Sequence, residues 1–436
     1  MSVARSARPI RLRAAVMAVA LCLLAGLTVA CGPAQANNVR VRHSFFGMHD
    51  ASGLSFGPLH EGSVRLWDVG VEWQQVETAP GKPYDWTRLD QLITEAQAAR
   101  VSVTMVVAMT PTFYNTAHDP TKPPADMAHY RAFVSALMHR YKSFHGKRGI
   151  SAYQSWNEPN IKTFWTGSMR QMAQLGQILR QVRNQVDPRA TVVAPSMVTR
   201  LPFEQDWMKK FFATKLHGTP VWRFYDVLAL SLYPLAKYGD RIGTPEDTIG
   251  LLHQVKRKLH HDGVPSSKPI WNTEVNYGSV GGQAVPQLSR SRQAAFVLRT
   301  YLLNAANGLK RVFWYRYDMG EVAGGGTFIN TLLSQPGDPT QVTAAGHAYL
   351  LMQKWMHGTL QGTRTHAPCP TDSKGTYTCV VKDSSGTRRI YWNPFHKATV
   401  RLASSARHKQ GVLGGTSPVN GGSKLTVDYR PVMVSK

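Results

Sequence analysis

The chain has 436 residues, 43% hydrophobic and 18% charged, which is enough apolar mass for a sizeable core and excludes a disordered tail. Glycine (36) and proline (26) are near average usage, excluding collagen-like and low-complexity architectures, and four cysteines are too few for a disulfide-dense scaffold. Lysine and arginine (51) outnumber aspartate and glutamate (26), a net charge of +25 that attracts polyanions but does not specify a fold. The charge is scattered, with 12 basic and 3 acidic residues from residue 361 onward. No run resembles a nucleic-acid-binding arm, so nucleic acid is not an expected partner.

At the N-terminus, Arg5, Arg8, Arg11 and Arg13 precede the uncharged stretch Ala14 to Ala30, marginal for crossing a bilayer but suited to a signal-peptide core. Two cleavage sites compete. Thr28-Val29-Ala30-Cys31 has the form of a bacterial lipobox, which would lipidate Cys31 and anchor the chain to a membrane. Ala34-Gln35-Ala36 is a small-residue site for ordinary secretion. The lipobox route would leave Cys31 as the first mature residue and the ordinary route would remove residues 1–36; either predicts an extracytoplasmic, oxidising location. There, Cys369 and Cys379, ten positions apart, can form a local disulfide. His366 is the only histidine close before them, and a closed site usually needs four ligands, so no metal site is expected.

From about residue 45 to 317, short apolar, β-branched runs alternate with helical periods, the pattern of strand–helix units around a parallel sheet. The predicted strands are Phe45–Asp50, Val64–Asp68, Val101–Met109, Ile150–Asn157, Thr191–Ser196, Val227–Tyr233, Pro269–Val275 and Val312–Tyr317. Eight is the number a closed (β/α)8 TIM barrel requires. An open doubly wound sheet would usually show a glycine-rich loop after its first strand, and none follows Phe45–Asp50. After Asp126, residues Tyr130, Phe133, Val134, Leu137, Met138 and Tyr141 recur at helical steps and share one face. Thr244 and Pro245 offer an N-cap and first helical residue before Leu252, Val255 and Leu259. Met172–Val186, Gln293–Leu303 and Thr343–His357 also read as helices.

Beyond residue 357 the pattern changes. Tyr377–Val381, Arg389–Trp392, Thr399–Leu402 and Leu425–Val434 alternate between turn residues, predicting antiparallel hairpins in a small β-sandwich-like domain. Residues 38–44 offer it a further strand. The expected organisation is therefore a 37–357 barrel followed by a 358–436 β-rich accessory domain.

Catalytic groups in such barrels sit at the C-terminal ends of the strands. Glu158 leaves strand four in Trp156-Asn157-Glu158-Pro159, and Glu274 lies near the end of strand seven in Asn272-Thr273-Glu274-Val275-Asn276. These strands face each other across the mouth, so the two carboxyls can share one cavity. Glycosidic cleavage needs such a pair: one carboxyl protonates the leaving oxygen while the other attacks or stabilises the anomeric carbon. One must hold its proton at neutral pH and the other stay ionised, which a cation such as Arg65 favours.

At these residues the chain resembles clan A of the glycoside hydrolases, retaining enzymes on a (β/α)8 barrel. Val64-Arg65-Leu66-Trp67, Trp73, Pro80-Gly81-Lys82-Pro83-Tyr84-Asp85-Trp86, Leu89-Asp90 and Thr110-Pro111 resemble glycoside hydrolase family 39. That family includes β-xylosidases, α-L-iduronidases and bacterial exopolysaccharide hydrolases. The resemblance implies that Glu158 is the acid/base, Glu274 the nucleophile and Asn157 the partner of the sugar 2-hydroxyl. It also implies that Tyr233 orients the nucleophile, Arg65 keeps it ionised and Trp314 floors the subsite for the reacting sugar. Ser231 departs from the pattern, since clan members often carry histidine there.

Asp68, Glu72 and Glu77 are rival carboxylates near strand two, and Asp318 and Glu321 are either subsite or solvent-facing charges. His49 can bond a substrate hydroxyl or serve the structure. Trp67, Phe113, Tyr114, Phe164, Trp165, Tyr277 and Tyr315 can stack on sugars or pack the core, and Tyr391-Trp392-Asn393 can form a glycan-binding face or pack the sheet. The expected function is an exported retaining glycosidase acting on an oligo- or polysaccharide through a double displacement, without a cofactor. The alternative is an inactive cell-surface glycan-binding protein on the same barrel. The basic surface points to an acidic glycan, to attachment to an anionic cell surface or to a generally basic proteome.

Overall fold

The computed structural model describes residues 37–49, 58–234, 243–277, 288–318, 321–322, 326–327, 331–335 and 338–436. The export segment with Cys31 lies outside them, as does Asp50. Eight parallel strands close a barrel in chain order: Phe46–His49, Ser63–Leu66, Ser102–Val106, Ala152–Gln154, Thr191–Val198, Val227–Ser231, Ile270–Val275 and Val312–Tyr315. Strand eight closes on strand one through Val312 opposite Phe46 and Tyr315 opposite His49.

The period of two along each strand divides the interior into layers. Ala152, Val193, Val227, Ala229, Trp271 and Phe313 form an apolar lower layer, beneath which Arg311 lies over the Trp271 ring at 4.4 Å. Two positions further along three of these strands come Gln154, Ser231 and Tyr315, so the polar residues collect at the mouth.

The helices form as the sequence periodicity predicts. Asp126 accepts the Ala128 N–H at the start of Met127–Tyr141, and all six of the predicted apolar positions on that helix are buried. Thr244 and Asp247 form a capping box at the start of Pro245–His261, as do Ser168 and Gln171 for Met169–Val186. No helix among the described residues is long and apolar enough to cross a membrane.

An antiparallel sheet of seven strands runs in the order Val39–Val41, Gly358–Leu360, Tyr377–Asp383, Gly386–Trp392, Val432–Ser435, His408–Gly411, Thr416–Pro418. The pair Ala398–Arg401 and Lys424–Val427 packs on it through Tyr391, Leu402, Leu425, Val427 and Val434. The predicted single strand Leu425–Val434 is two strands in different sheets. Pro431 has no N–H for a ladder, and the Asp428 carboxylate takes the Arg430 N–H to make a turn. Cys369 and Cys379 are disulfide-bonded. Tyr391, Trp392 and Asn393 are buried rather than presented to a glycan.

The sheet is fixed to the barrel by a buried ion pair. Arg299, on the helix after strand seven, donates both Nε and Nη2 to Glu246, on the helix after strand six, and the Trp392 indole N–H also donates to Glu246 at 3.0 Å. Arg299 is 1% exposed. Glu246→Ala leaves its guanidinium buried without a counter-charge, and should lower unfolding free energy by about 3–5 kcal/mol, read from urea denaturation of the full chain.

Candidate active site

Arg65 points inward from strand two and is fully buried. Its Nε donates to Gln154 Oε1 at 2.7 Å, Nη1 to Glu274 Oε1 at 2.6 Å and Nη2 to Asn157 Oδ1 at 2.7 Å. One planar cation thus ties strand two to strands four and seven. The Tyr233 hydroxyl donates to Glu274 Oε2 at 3.1 Å, so each carboxylate oxygen has its own donor. The Ser196 hydroxyl is 2.7 Å from both Ser231 Oγ and Thr273 Oγ1. Ser231 therefore joins a chain of three hydroxyls.

Glu158 sits just beyond strand four with φ +41°, a left-handed conformation that is unfavourable for a residue with a side chain and is tolerated where surroundings enforce it. Two contacts enforce it here. Asn160 Nδ2 donates to Val198 O at 2.7 Å while its Oδ1 accepts the Val198 N–H at 3.1 Å, pinning the turn to strand five. Beneath it, the Trp156 indole donates to Phe164 O at 2.8 Å.

Both carboxyls are buried, at 8% and 5% exposure for Glu158 and Glu274, and burial raises both pKa values. Their neighbours then separate them. Glu158 is pushed up to about 8, first by burial and then by the negative charge of Glu274, with only partial relief from Ser231, Arg200 and Arg65. Glu274 is also raised by burial, but the Arg65 charge and the Arg65 and Tyr233 hydrogen bonds oppose this. The proton therefore rests on Glu158 and the charge on Glu274.

Arg65, Asn157, Glu158, Tyr233 and Glu274 thus meet at one end of the barrel, and the other candidates sort differently. Trp314 does not floor the cavity. It is fully buried on the outer side of strand eight, with its indole N–H on Thr331 O and its ring near Tyr277, because Phe313 and Tyr315 take the inward positions. Tyr315 is the strand-eight aromatic at the site: its hydroxyl donates to Asp68 at 2.9 Å, and the nearby Asp68 and Glu274 charges add to burial in raising its pKa. His49 is fully buried against Tyr315 at 4.5 Å, and burial with the Arg65 and Arg316 charges keeps its ring neutral. Trp165 is 3% exposed and packs edge-on against Trp156, so it supports the loop and does not stack on a ligand.

The rival carboxylates are engaged in structure. Glu77 accepts from Trp73 and Tyr114, Glu72 accepts the Asp68 N–H, and Asp68 itself accepts from Tyr315 and Arg316. Asp318 is buried, not solvent-facing. Sequence reasoning missed Gln154, Asn160 and Arg200. Arg200, which stands 5.9 Å over the Tyr233 ring, was detectable as a cation just after strand five; the other two act through contacts distant in sequence.

A family model described as glycosyl hydrolase catalytic core matches residues 84–349. Comparison with curated proteins gives no significant match. Among solved structures, a family 39 glycoside hydrolase from Bacteroides cellulosilyticus is similar with TM-score 0.64 and 15% identity, over 90% of this chain and 81% of that one. A glucosidase from Croceicoccus marinus is similar with TM-score 0.64 and 11% identity, over 92% and 96%. A family 30 endoxylanase from Clostridium papyrosolvens follows with TM-score 0.56 and 11% identity, over 91% and 97%. At these identities the likeness bears on the fold alone.

The electrostatic account has a direct check. Arg65→Met removes the opposing charge and should raise the Glu274 titration midpoint by about 1–3 pH units, followed by carboxyl carbon NMR; an unchanged midpoint would show that Arg65 does not hold that charge.

Proposed function

We propose that this chain, which belongs to the glycosyl hydrolase catalytic core family, is an exported retaining glycosidase that cleaves an extracellular polysaccharide through a covalent glycosyl–enzyme intermediate. The observation that carries the reading is the pair of buried carboxyls at the ends of strands four and seven whose environments hold them in opposite protonation states. Glu274, ionised and gripped by Arg65 and Tyr233, attacks the anomeric carbon. Glu158, holding its proton, gives it to the departing glycosidic oxygen. The carboxylate then formed on Glu158 takes a proton from the water that releases the sugar from Glu274, restoring both groups.

Asn157 supports the same scheme from beside the acid. Its Oδ1 is occupied by Arg65, which turns the amide NH2 toward other partners and suits it to donate to a sugar 2-hydroxyl. Export is supported by the N-terminal segment and by the Cys369–Cys379 disulfide, which persists in oxidising compartments.

Turnover requires Glu158 protonated and Glu274 ionised. kcat/KM should therefore fall on the alkaline side near pH 8, as Glu158 loses its proton. On the acid side it should fall above the ordinary glutamate value of about 4.3, because burial raises Glu274. Glu274→Gln should lower kcat on every substrate by roughly four orders of magnitude or more. Glu158→Gln should spare substrates with good leaving groups and lose the alkaline limb. Wild-type rates in both variants, or an inverted anomer in early-time NMR of the product, would refute the mechanism.

A further inference from the structure

Between the barrel and the C-terminal sheet lies a cleft of about 290 Å3, lined in part by Arg292, Phe395, His396, Lys397, Asp428 and Tyr429. Its sheet side is a rigid turn. The buried Asn393 side chain accepts the N–H groups of Phe395 and His396 at 3.0 and 3.1 Å and donates to Lys374 O at 2.9 Å. On this turn Phe395 is 76% exposed, although large apolar side chains are mostly buried in this molecule. The hydrogen-bonded loop thus holds an aromatic ring where a ligand can reach it.

The barrel side adds positive charge. The Tyr429 hydroxyl shares a hydrogen bond with Ser291 at 2.9 Å, and the Arg292 guanidinium lies over the Tyr429 ring at 5.4 Å. Asp428, the acid facing Lys397, is already engaged by Arg430. Neither Arg292 nor Lys397 has an ion-pair partner among the described residues, so the cleft keeps an uncompensated positive charge. It is also on the catalytic side of the barrel. Thr244 at its edge caps the helix after strand six, and Arg292 lies in the first turn of the helix after strand seven. In a (β/α)8 barrel these helix starts share an end with the strand C-termini.

We propose that this cleft is a second saccharide-binding site, specific for an acidic sugar. Arg292 and Lys397 pair with a ring carboxylate, and Phe395 stacks against the apolar face of the sugar. Its role, to hold an acidic polymer beside the catalytic mouth, rests on the glycosidase reading; the binding itself does not.

The test is affinity electrophoresis of the full chain through gels containing polygalacturonate, neutral xylan or dextran sulfate. The wild type should be retarded by polygalacturonate and not by xylan. Phe395→Ala and Lys397→Glu should each weaken the retardation constant for polygalacturonate about tenfold. Both should keep wild-type kcat/KM on whichever 4-nitrophenyl glycoside the chain cleaves. The general attraction of a +25 chain for polyanions would give a different result: Phe395→Ala bound as tightly as wild type, with only the charge variant weakened. That result, or no retardation of the wild type by polygalacturonate, overturns the proposal. A wild type that is retarded yet cleaves no glycoside sustains this site and refutes the hydrolase.

Discussion

A guanidinium buried at the mouth of the barrel is the constraint on which the site depends. Arg65 cannot lose its charge, and its solvation must be replaced by acceptors in fixed positions. Gln154, Asn157 and Glu274 supply them. The requirement fixes the rotamers of three side chains on two other strands and makes ionised Glu274 the counter-charge. The difference between the two glutamates follows, since each is buried but only Glu274 touches the cation. A buried pair of this kind contributes little net stability; what it gives the barrel is a specified arrangement of charge.

The barrel was legible because its elements alternate regularly. Short apolar, β-branched runs marked eight strands, and the helical period with Asp126 and Thr244 as caps marked the helices between them. Glu158 and Glu274 were legible for a related reason: once strands are counted, their ends are positions with chemical meaning. Facing was harder to read. Trp314 and Tyr315 are adjacent, and only the inward position of Phe313 in the lower layer decides which of them reaches the cavity. Gln154 and Asn160 left no local signal, since their partners Arg65 and Val198 lie on other strands. In the C-terminal sheet, His408–Gly411 and Thr416–Pro418 pair through backbone with polar and glycine residues, so no alternation announced them.

The attachment of the sheet adds to this picture. Glu246 receives Arg299 and Trp392 together, so the helices after strands six and seven are clamped to each other and to the sheet by one carboxylate. Strands six and seven lead to Tyr233 and Glu274. The sheet is thus braced against the part of the barrel that carries the charged carboxylate, and its aromatic turn is held at a fixed place beside it.

The pairing of Val39–Val41 with Gly358–Leu360 joins two segments with the whole barrel between them in sequence. During synthesis, the earlier segment waits without its neighbour until the chain has been made to residue 358 and beyond. A chain that stops short of residue 358 leaves that edge strand unpaired on both sides instead of one, the kind of surface that pairs with other chains. This pairing therefore forms late, only after the chain has been made through residue 360.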